Sequence, residues 1–442
     1  MEWLIIGGGP HGFHLTMRLL AEGVSPDAIR VLDPHAEPLE RWRSYTGNTG
    51  MSHLRSPQVH NLGIEALALA SLAESDVYRL AKGERRGIEP DFIPPYERPS
   101  LALFMHHARE LVEASDLSRL WKQGRAASMQ RTGAGFRVEL QSGERLVSTN
   151  VVLALGAGDQ LRWPDWARVF KARAPDAPLD HVFGPDFRRE CVDRDEDVVL
   201  VGAGISAAQL ALALADTNRE RRIVLLSRHS LRQADFDSDP GWLGPLFLDA
   251  FDAEPCPVRR RAIIDEARKP GSLAADVMHD LSQALRAGRL AHTLAHIDRA
   301  TWEGRGSPIE LEIRTMGLDE DVYHRTGEIV PRISGTSEPL AADRVVLCTG
   351  FEPARPGGAF VGRAIEALRL SLAPDGYPAV DEHLRWSPGL FVMGPLAELV
   401  VGPAARNLSG ARMAAQRIVE SREVGRTASG RVPASPAALA RP

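Results

Sequence analysis

Two short glycine clusters carry the chemistry most readily read from this sequence. The first, Gly7-Gly8-Gly9-Pro10-His11-Gly12, follows the apolar run at residues 3–6 and matches G-x-G-x-x-G at Gly7, Gly9 and Gly12. Each glycine has a separate physical task. Gly7 permits a tight turn out of a strand, and Gly9 lets the backbone approach a pyrophosphate. Gly12 lets the following helix pack close to the strand, with its N-terminus facing the anion. Pro10 and His11 lie inside the phosphate loop, where the His11 ring can touch the pyrophosphate. Asp33 ends the next short strand, where an acid accepts hydrogen bonds from a ribose diol. Such a cluster also serves plain turns. Here a strand before it, a helix after it and an acid at the right distance favour a bound dinucleotide.

The second cluster, Gly202-Ala203-Gly204-Ile205-Ser206-Ala207, repeats the pattern with Ala207 in the third glycine position, where a methyl group is still small enough for close packing. Ser206 falls in the first helical turn, where its hydroxyl can cap the helix or meet a phosphate. After the next strand come Ser227-Arg228-His229 rather than an acid. A carboxylate would repel a 2′-phosphate, whereas Arg228 would pair with it, so NADPH is favoured over NADH. The alternative for Arg228 is a solvated surface charge.

These loops need strands and helices to hold them. Residues 3–6, the helical pattern through Phe13, Leu15, Leu19 and Leu20, and residues 29–32 form a strand–turn–helix–strand unit, which implies a parallel sheet. Residues 100–114 read as a helix, and residues 135–140 and 145–155 as a meander leading into a buried strand. Residues 197–201, 206–215 and 222–226 form the second such unit. A polar stretch rich in proline and charge follows, then buried strands at 343–347 and 389–393 and a closing helix at 407–421. The runs ending at Gly156 and Gly350 share a form, a buried strand closed by a small residue and glycine, and they bracket the second unit. The expected fold is α/β, with two Rossmann-like dinucleotide-binding domains, the second inserted in the first. The expected boundaries are 1–165 with 335–425 for the first domain and 190–334 for the second, with 427–442 a disordered tail.

Bulk composition narrows the class. At 442 residues, 44% apolar and 25% charged, the chain is an ordinary globular protein long enough for two or three domains. A net charge of −5 argues against a nucleic-acid or membrane-surface protein. No apolar run is long enough for a transmembrane helix. The first strand starts almost at residue 1, so no signal peptide is expected and the cytoplasm is the default location. The three cysteines, Cys191, Cys256 and Cys348, include no C-x-x-C pair. The adjacent His106 and His107 face different directions on a helix, and no metal site is expected.

The paired loops, the brackets at Ala154-Leu155-Gly156 and Cys348-Thr349-Gly350, and the terminal Gly394-Pro395 and Asn407-Leu408-Ser409-Gly410-Ala411 resemble the two-dinucleotide-binding-domain flavoproteins. The resemblance spans roughly residues 1–420. It is closest to the flavin-dependent monooxygenases that N-hydroxylate lysine, ornithine and related amines. Trp42, Gly50-Met51 and Gln58-Val59-His60-Asn61-Leu62 are similar to the family's loop along the flavin ring, Arg98-Pro99 to the opening of its next helix, and Asp235–Asp239 to the segment after its basic residue. The family's Phe-x-Gly-x-x-x-His pattern is missing, since Pro175 and Ala177 precede His181.

The resemblance implies FAD at the first loop, contacted also by Trp42, Met51, Gly350, Gly394 and Asn407, and NADPH at the second. It implies hydride transfer to FAD, reaction with O2 to a flavin hydroperoxide, and oxygen transfer to a neutral amine or similar small nucleophile. Gln58 and His53 are the residues expected near the reacting ring; for His53, a loop-stabilising hydrogen bond is the alternative. Two other readings stay open: a cysteine-free reductase of a quinone or other small molecule, and a catalytically silent NADP(H)-binding regulator. Substrate identity and oligomeric state are not encoded in any motif.

Overall fold

A computed structural model describes residues 1–82, 90–193, 195–217, 221–318 and 331–428. The first sheet has the order Arg385–Ser387, Leu390–Val392, Asn150–Leu153, Trp3–Ile6, Ile29–Asp33, Trp121–Gln123. All neighbours are parallel except the hairpin formed by its first two strands. Trp3–Ile6 is central and wholly buried. Parallel sheets are covered on both faces, so such a strand is apolar throughout rather than alternating. Helix Pro10–Ala21 leaves this strand through the first glycine loop and packs against the long helix Leu408–Ala428. The expected helix at 100–114 is Leu101–Ala114, capped by Ser100, whose hydroxyl accepts the Leu103 N–H at 3.1 Å. The meander is present as Ala126–Thr132, Gly135–Leu140 and Arg145–Ser148.

The second sheet runs Leu179–His181, Arg344–Leu347, Val198–Val201, Ile223–Ser227, Ala291–Trp302, Ile309–Leu318, Pro331–Ala342. Its last three strands form an antiparallel extension. Two details differ from expectation. The strand Arg344–Leu347, assigned from sequence to the first domain, lies between Leu179–His181 and Val198–Val201 in the second sheet. A buried apolar run fits either sheet, and only pairing distinguishes them. We therefore propose that the chain crosses between units after Leu153 and returns after Leu347. The polar stretch after residue 226 also holds three helices, Pro245–Ala253, Pro257–Ala267 and Ala275–Arg286. At the other end, helix Leu408–Ala428 runs through the start of the expected tail, whose residues 429–442 lie outside the described residues.

Helix Pro257–Ala267 ties the two units together. Phe251 and Ile264 pack with Ala373, Tyr377 and Leu399. Beside them Glu398, only 1% exposed, accepts bonds from Arg261 at 2.5 Å and Arg406 at 2.7 and 2.9 Å. Burial pushes the Glu398 carboxyl up, but the Arg406 and Arg261 guanidiniums outweigh it and hold the group below its usual range. Among the described residues no helix is long and apolar enough to cross a membrane.

Candidate functional site

The two glycine loops are built alike. Gly7 has φ +112° and Gly202 φ +145°, both in the region that favours glycine. A Cβ on Gly7 would lie 2.4 Å from the Ala154 carbonyl oxygen, and one on Gly202 2.6 Å from that of Cys348. Each loop therefore turns across the backbone at the end of a neighbouring parallel strand. Gly9 and Gly204 stand at the helix N-caps, and neither cap is closed by a side chain. A Cβ on Gly9 would meet nothing within 4 Å, so the loop leaves open space where a pyrophosphate must approach. A Cβ on Gly12 would fall 1.9 Å from the Gly7 carbonyl oxygen. Ala207 fills the matching place in the second helix and is fully buried.

Around the first loop the polar groups are unevenly satisfied. Asp33 accepts the Gly8 N–H at 2.7 Å through Oδ2, and through Oδ1 it meets the His35 ring at 2.7 Å and backbone N–H at 2.9 Å. Each carboxylate oxygen has two lone pairs, so Oδ2 retains capacity for a ribose hydroxyl. Both ring nitrogens of His11 are buried without a partner, as is Oε1 of Gln58. Burial, reinforced by His14, lowers the His11 pKa to about 4, so the ring is neutral near pH 7. Buried polar atoms without partners are uncommon in native proteins, and here they mark places where a ligand would complete the bonding. Gly394, φ +65°, faces the His11 ring, with its Cβ position 3.7 Å away.

The other expected contacts divide. His53 bonds the Pro90 carbonyl at 2.8 Å and Ser52 Oγ at 3.2 Å, so both its nitrogens have partners within the loop and beside it. Trp42 lays its ring 5.1 Å from Phe104, against the first core. Met51 continues the turn that ends helix Glu40–Thr49, its N–H donating to Thr46 at 3.1 Å. Asn407 uses Oδ1 to accept the Gly410 N–H at 2.9 Å and the Ser409 hydroxyl at 2.6 Å, capping helix Leu408–Ala428. Gly350 follows a strand of the second sheet, and its carbonyl accepts the Arg162 N–H across the crossing between units.

At the second loop the register refines the sequence reading. Gly7 N–H bonds the Leu32 carbonyl, and Gly202 N–H bonds the Leu226 carbonyl. Ser227, not Arg228, therefore occupies the place of Asp33. Ser227 is buried, and its hydroxyl bonds the His229 carbonyl and the His292 ring, each at 2.8 Å. Arg228 comes next, is exposed, and makes no ion pair among the described residues. The Ser206 hydroxyl makes no hydrogen bond among them either. Cys191, Cys256 and Cys348 are all free, and burial pushes the Cys348 thiol up to about 12. No group of His, Cys, Asp and Glu among the described residues is arranged to hold a metal.

The flavin-side loop expected at 41–62 meets the second unit. Gly50 packs on Ala213 of helix Ile205–Ala215, with its Cβ position 2.6 Å from the Ala213 methyl. Asn48 donates to the Val182 and Phe187 carbonyls at 3.0 Å each. A cavity opens between the units. Arg55, Pro57, His60 and Asn407 line one side, and Phe236 and Ser238 lie on the other. The sequence reading missed Arg55, Asn48 and the register of Ser227. Spacing alone would have put Arg228 opposite Asp33, and only the pairing of Gly202 N–H with the Leu226 carbonyl moves the match to Ser227.

Residues 4–158 match the family model described as FAD-NAD(P)-binding. No curated protein matches the chain by sequence. Among solved structures, the ornithine N-hydroxylase of Kutzneria sp. 744, described with reduced FAD, NADP+ and L-ornithine, is 17% identical with a TM-score of 0.69. It covers 96% of this chain and 99% of its own. The ornithine hydroxylase of Pseudomonas aeruginosa is 19% identical, with a TM-score of 0.66 over 95% of this chain and 98% of its own. The bacillithiol disulfide reductase of Bacillus cereus is 16% identical, with a TM-score of 0.56 over 95% and 98%. The chain thus has a mixed α/β fold with parallel sheets that it shares, nearly end to end, with two ornithine hydroxylases and a bacillithiol disulfide reductase.

Proposed function

We propose that this chain is an FAD-dependent oxidoreductase that takes hydride from NADPH and hydroxylates the nitrogen of a small amine, in the cytoplasm. The observation that carries the reading is the pairing of two glycine loops of one design with opposite strand-end chemistry, Asp33 on one and Ser227-Arg228 on the other. Both hydroxylase neighbours support the reaction class. Bound FAD would supply the two-electron relay from NADPH to O2, by which one oxygen atom would reach the amine and the other leave as water.

The chain's own residues supply the remainder. Gly9 and the N-terminus of helix Pro10–Ala21 receive the FAD pyrophosphate. Asp33 accepts the ribose hydroxyls. The neutral His11 ring and the Gln58 amide complete their bonding on the cofactor. At the second loop Ser206 and Arg228 hold the NADPH phosphates, and Ser227 leaves room for the 2′-phosphate where an acid would repel it. Loop 41–62 and the facing segment after Arg228 shield the reacting atoms from water. The buried Cys348 thiol, pushed up to about 12, is a protonated wall residue at neutral pH.

The test is to supply FAD-loaded protein with NADPH, air and a panel of lysine, ornithine and aliphatic diamines, and to measure hydroxylamine product against NADPH consumed. We expect at least one amine to yield product close to one per NADPH. Hydrogen peroxide as the sole oxygen product with every amine, together with efficient quinone reduction, would replace this reading with the reductase one.

A further inference from the structure

Arg55 lies in the flavin-side loop, three residues before Gln58, and its side chain is 15% exposed. Its guanidinium reaches wholly into the other unit. Nε donates to the Asp235 carbonyl at 2.9 Å, and Nη1 to the Asp237 carboxylate at 2.5 Å. Nη2 donates to the Ala234 carbonyl at 2.6 Å and the Ser272 hydroxyl at 2.9 Å. All three nitrogens are thus committed to two short segments.

Those two segments flank the second glycine loop. Arg232–Gln233 and Ser272–Leu273 form a two-stranded parallel pair, extended by the bond from Ala234 N–H to the Leu273 carbonyl. The Cα of Gly271, next to Ser272, lies 3.4 Å from the Cβ position of Gly204, and a Cβ on Gly271 would lie 3.6 Å from Cε1 of the His229 ring. The fork of Arg55 therefore grips the element against which the second glycine loop rests. On its own side, the Arg55 loop is pinned by Leu54 N–H to the Pro99 carbonyl at 2.9 Å and Gln58 N–H to the Glu97 carbonyl at 3.0 Å. Between those anchors Arg98, 5% exposed, crosses to Asp276 at 2.6 Å.

We propose that Arg55 is a positioning residue that fixes the approach of the hydride donor to the flavin, resting on the two-nucleotide reading above. It touches neither glycine loop itself. It fastens the platform of one to the loop that borders the ring of the other. Hydride transfer needs the reacting atoms near van der Waals distance, and a misplacement of about 1 Å can cost on the order of a hundredfold in rate. Lysine is no substitute, because a single ammonium cannot serve two carbonyls, a carboxylate and a hydroxyl in the directions of a planar fork.

The test is anaerobic stopped-flow reduction of FAD-loaded protein by NADPH, reading the limiting rate and the apparent Kd separately. In Arg55→Ala and Arg55→Lys we expect the limiting rate to fall at least tenfold, with FAD content and apparent Kd for NADPH within threefold of wild type. Asp237→Asn, an exposed change that takes the charge out of only one of the four contacts, keeps the proposal testable should the Arg55 variants not fold; it should slow reduction about threefold at unchanged Kd. A limiting rate within twofold of wild type in a folded Arg55 variant or in Asp237→Asn, or full rescue by lysine, would overturn the proposal. A wild-type protein whose flavin NADPH cannot reduce at all would instead overturn the functional reading on which it rests.

Discussion

The two glycine loops share a turn and differ in what surrounds it. In both, the first glycine passes under a strand-end carbonyl at a distance no Cβ tolerates. Beyond that the first loop is tighter and more richly bonded. Gly12 sits where even a methyl would strike the Gly7 carbonyl, and Asp33 braces the loop through the Gly8 N–H. The second loop accepts Ala207, and Ser227 turns its hydroxyl away to His229 and His292. The difference separates two demands on one motif. Close helix approach and a braced acid suit a dinucleotide held through many turnovers. A looser loop with an exposed arginine beside it suits a cofactor that comes and goes.

The comparison breaks most severely at the third position. Gly12→Ala forces a Cβ into backbone and should destabilise the fold by about 3 kcal/mol or more. Gly9→Val, pointing into open space, should leave the melting temperature of the cofactor-free protein unchanged and abolish FAD binding, seen as loss of yellow colour. The reciprocal change, Ala207→Gly, should cost only about 1 kcal/mol. Thermal denaturation with and without FAD separates these outcomes; equal effects of Gly12→Ala and Ala207→Gly would erase the distinction between the loops.

The strand ends come next. Arg228→Ala should raise the Michaelis constant for NADPH about tenfold with little change in turnover, as the loss of a charge-assisted phosphate contact predicts. Ser227→Asp places an acid where Asp33 stands in the first unit and should move preference toward NADH. Steady-state kinetics with both nucleotides measures each, and unchanged selectivity in both variants would remove the assignment.

A smaller effect separates the units in acid. Burial lowers the pKa of His11, His14 and His107 in the first unit to about 4, and His60 in the same direction. In the second sheet His181 is lowered to about 4, and His292 is lowered as well. The unfolded chain protonates near pH 6.5 and the folded chain does not, so stability is full above that value and falls as pH drops toward 4. With more such groups, the first unit should loosen first. FAD fluorescence should appear at a higher pH than loss of the second unit's secondary structure; FAD retained down to pH 4 would contradict this.

Much of this arrangement was legible in the sequence where the signal is local. A glycine loop, its strand and its helix lie within a few residues of one another, and Asp33 is fixed by the same short unit. What escaped depends on partners far along the chain. Arg344–Leu347 is a four-residue strand, apolar after Arg344, whose sheet is settled only by pairing with Leu179–His181 and Val198–Val201. The long strands Ala291–Trp302 and Ile309–Leu318 alternate buried residues such as Ile309, Leu311 and Ile313 with polar ones, and lie in what read only as a polar stretch. His53 and Trp42 lie in the expected loop, where one bonds the Pro90 carbonyl and the other packs on Phe104, contacts that no local pattern announces. Arg55 finds its partners about 180 residues later, and no spacing rule reaches that far.

The most direct test of the account is anaerobic mixing of the FAD-loaded protein with NADPH or NADH while following flavin absorbance. The account predicts that NADPH bleaches the flavin completely, and faster than NADH at equal concentration, because the second loop presents Ser227 and Arg228 in place of an acid. A chain that cannot retain FAD, or a flavin that neither nucleotide reduces, would contradict it.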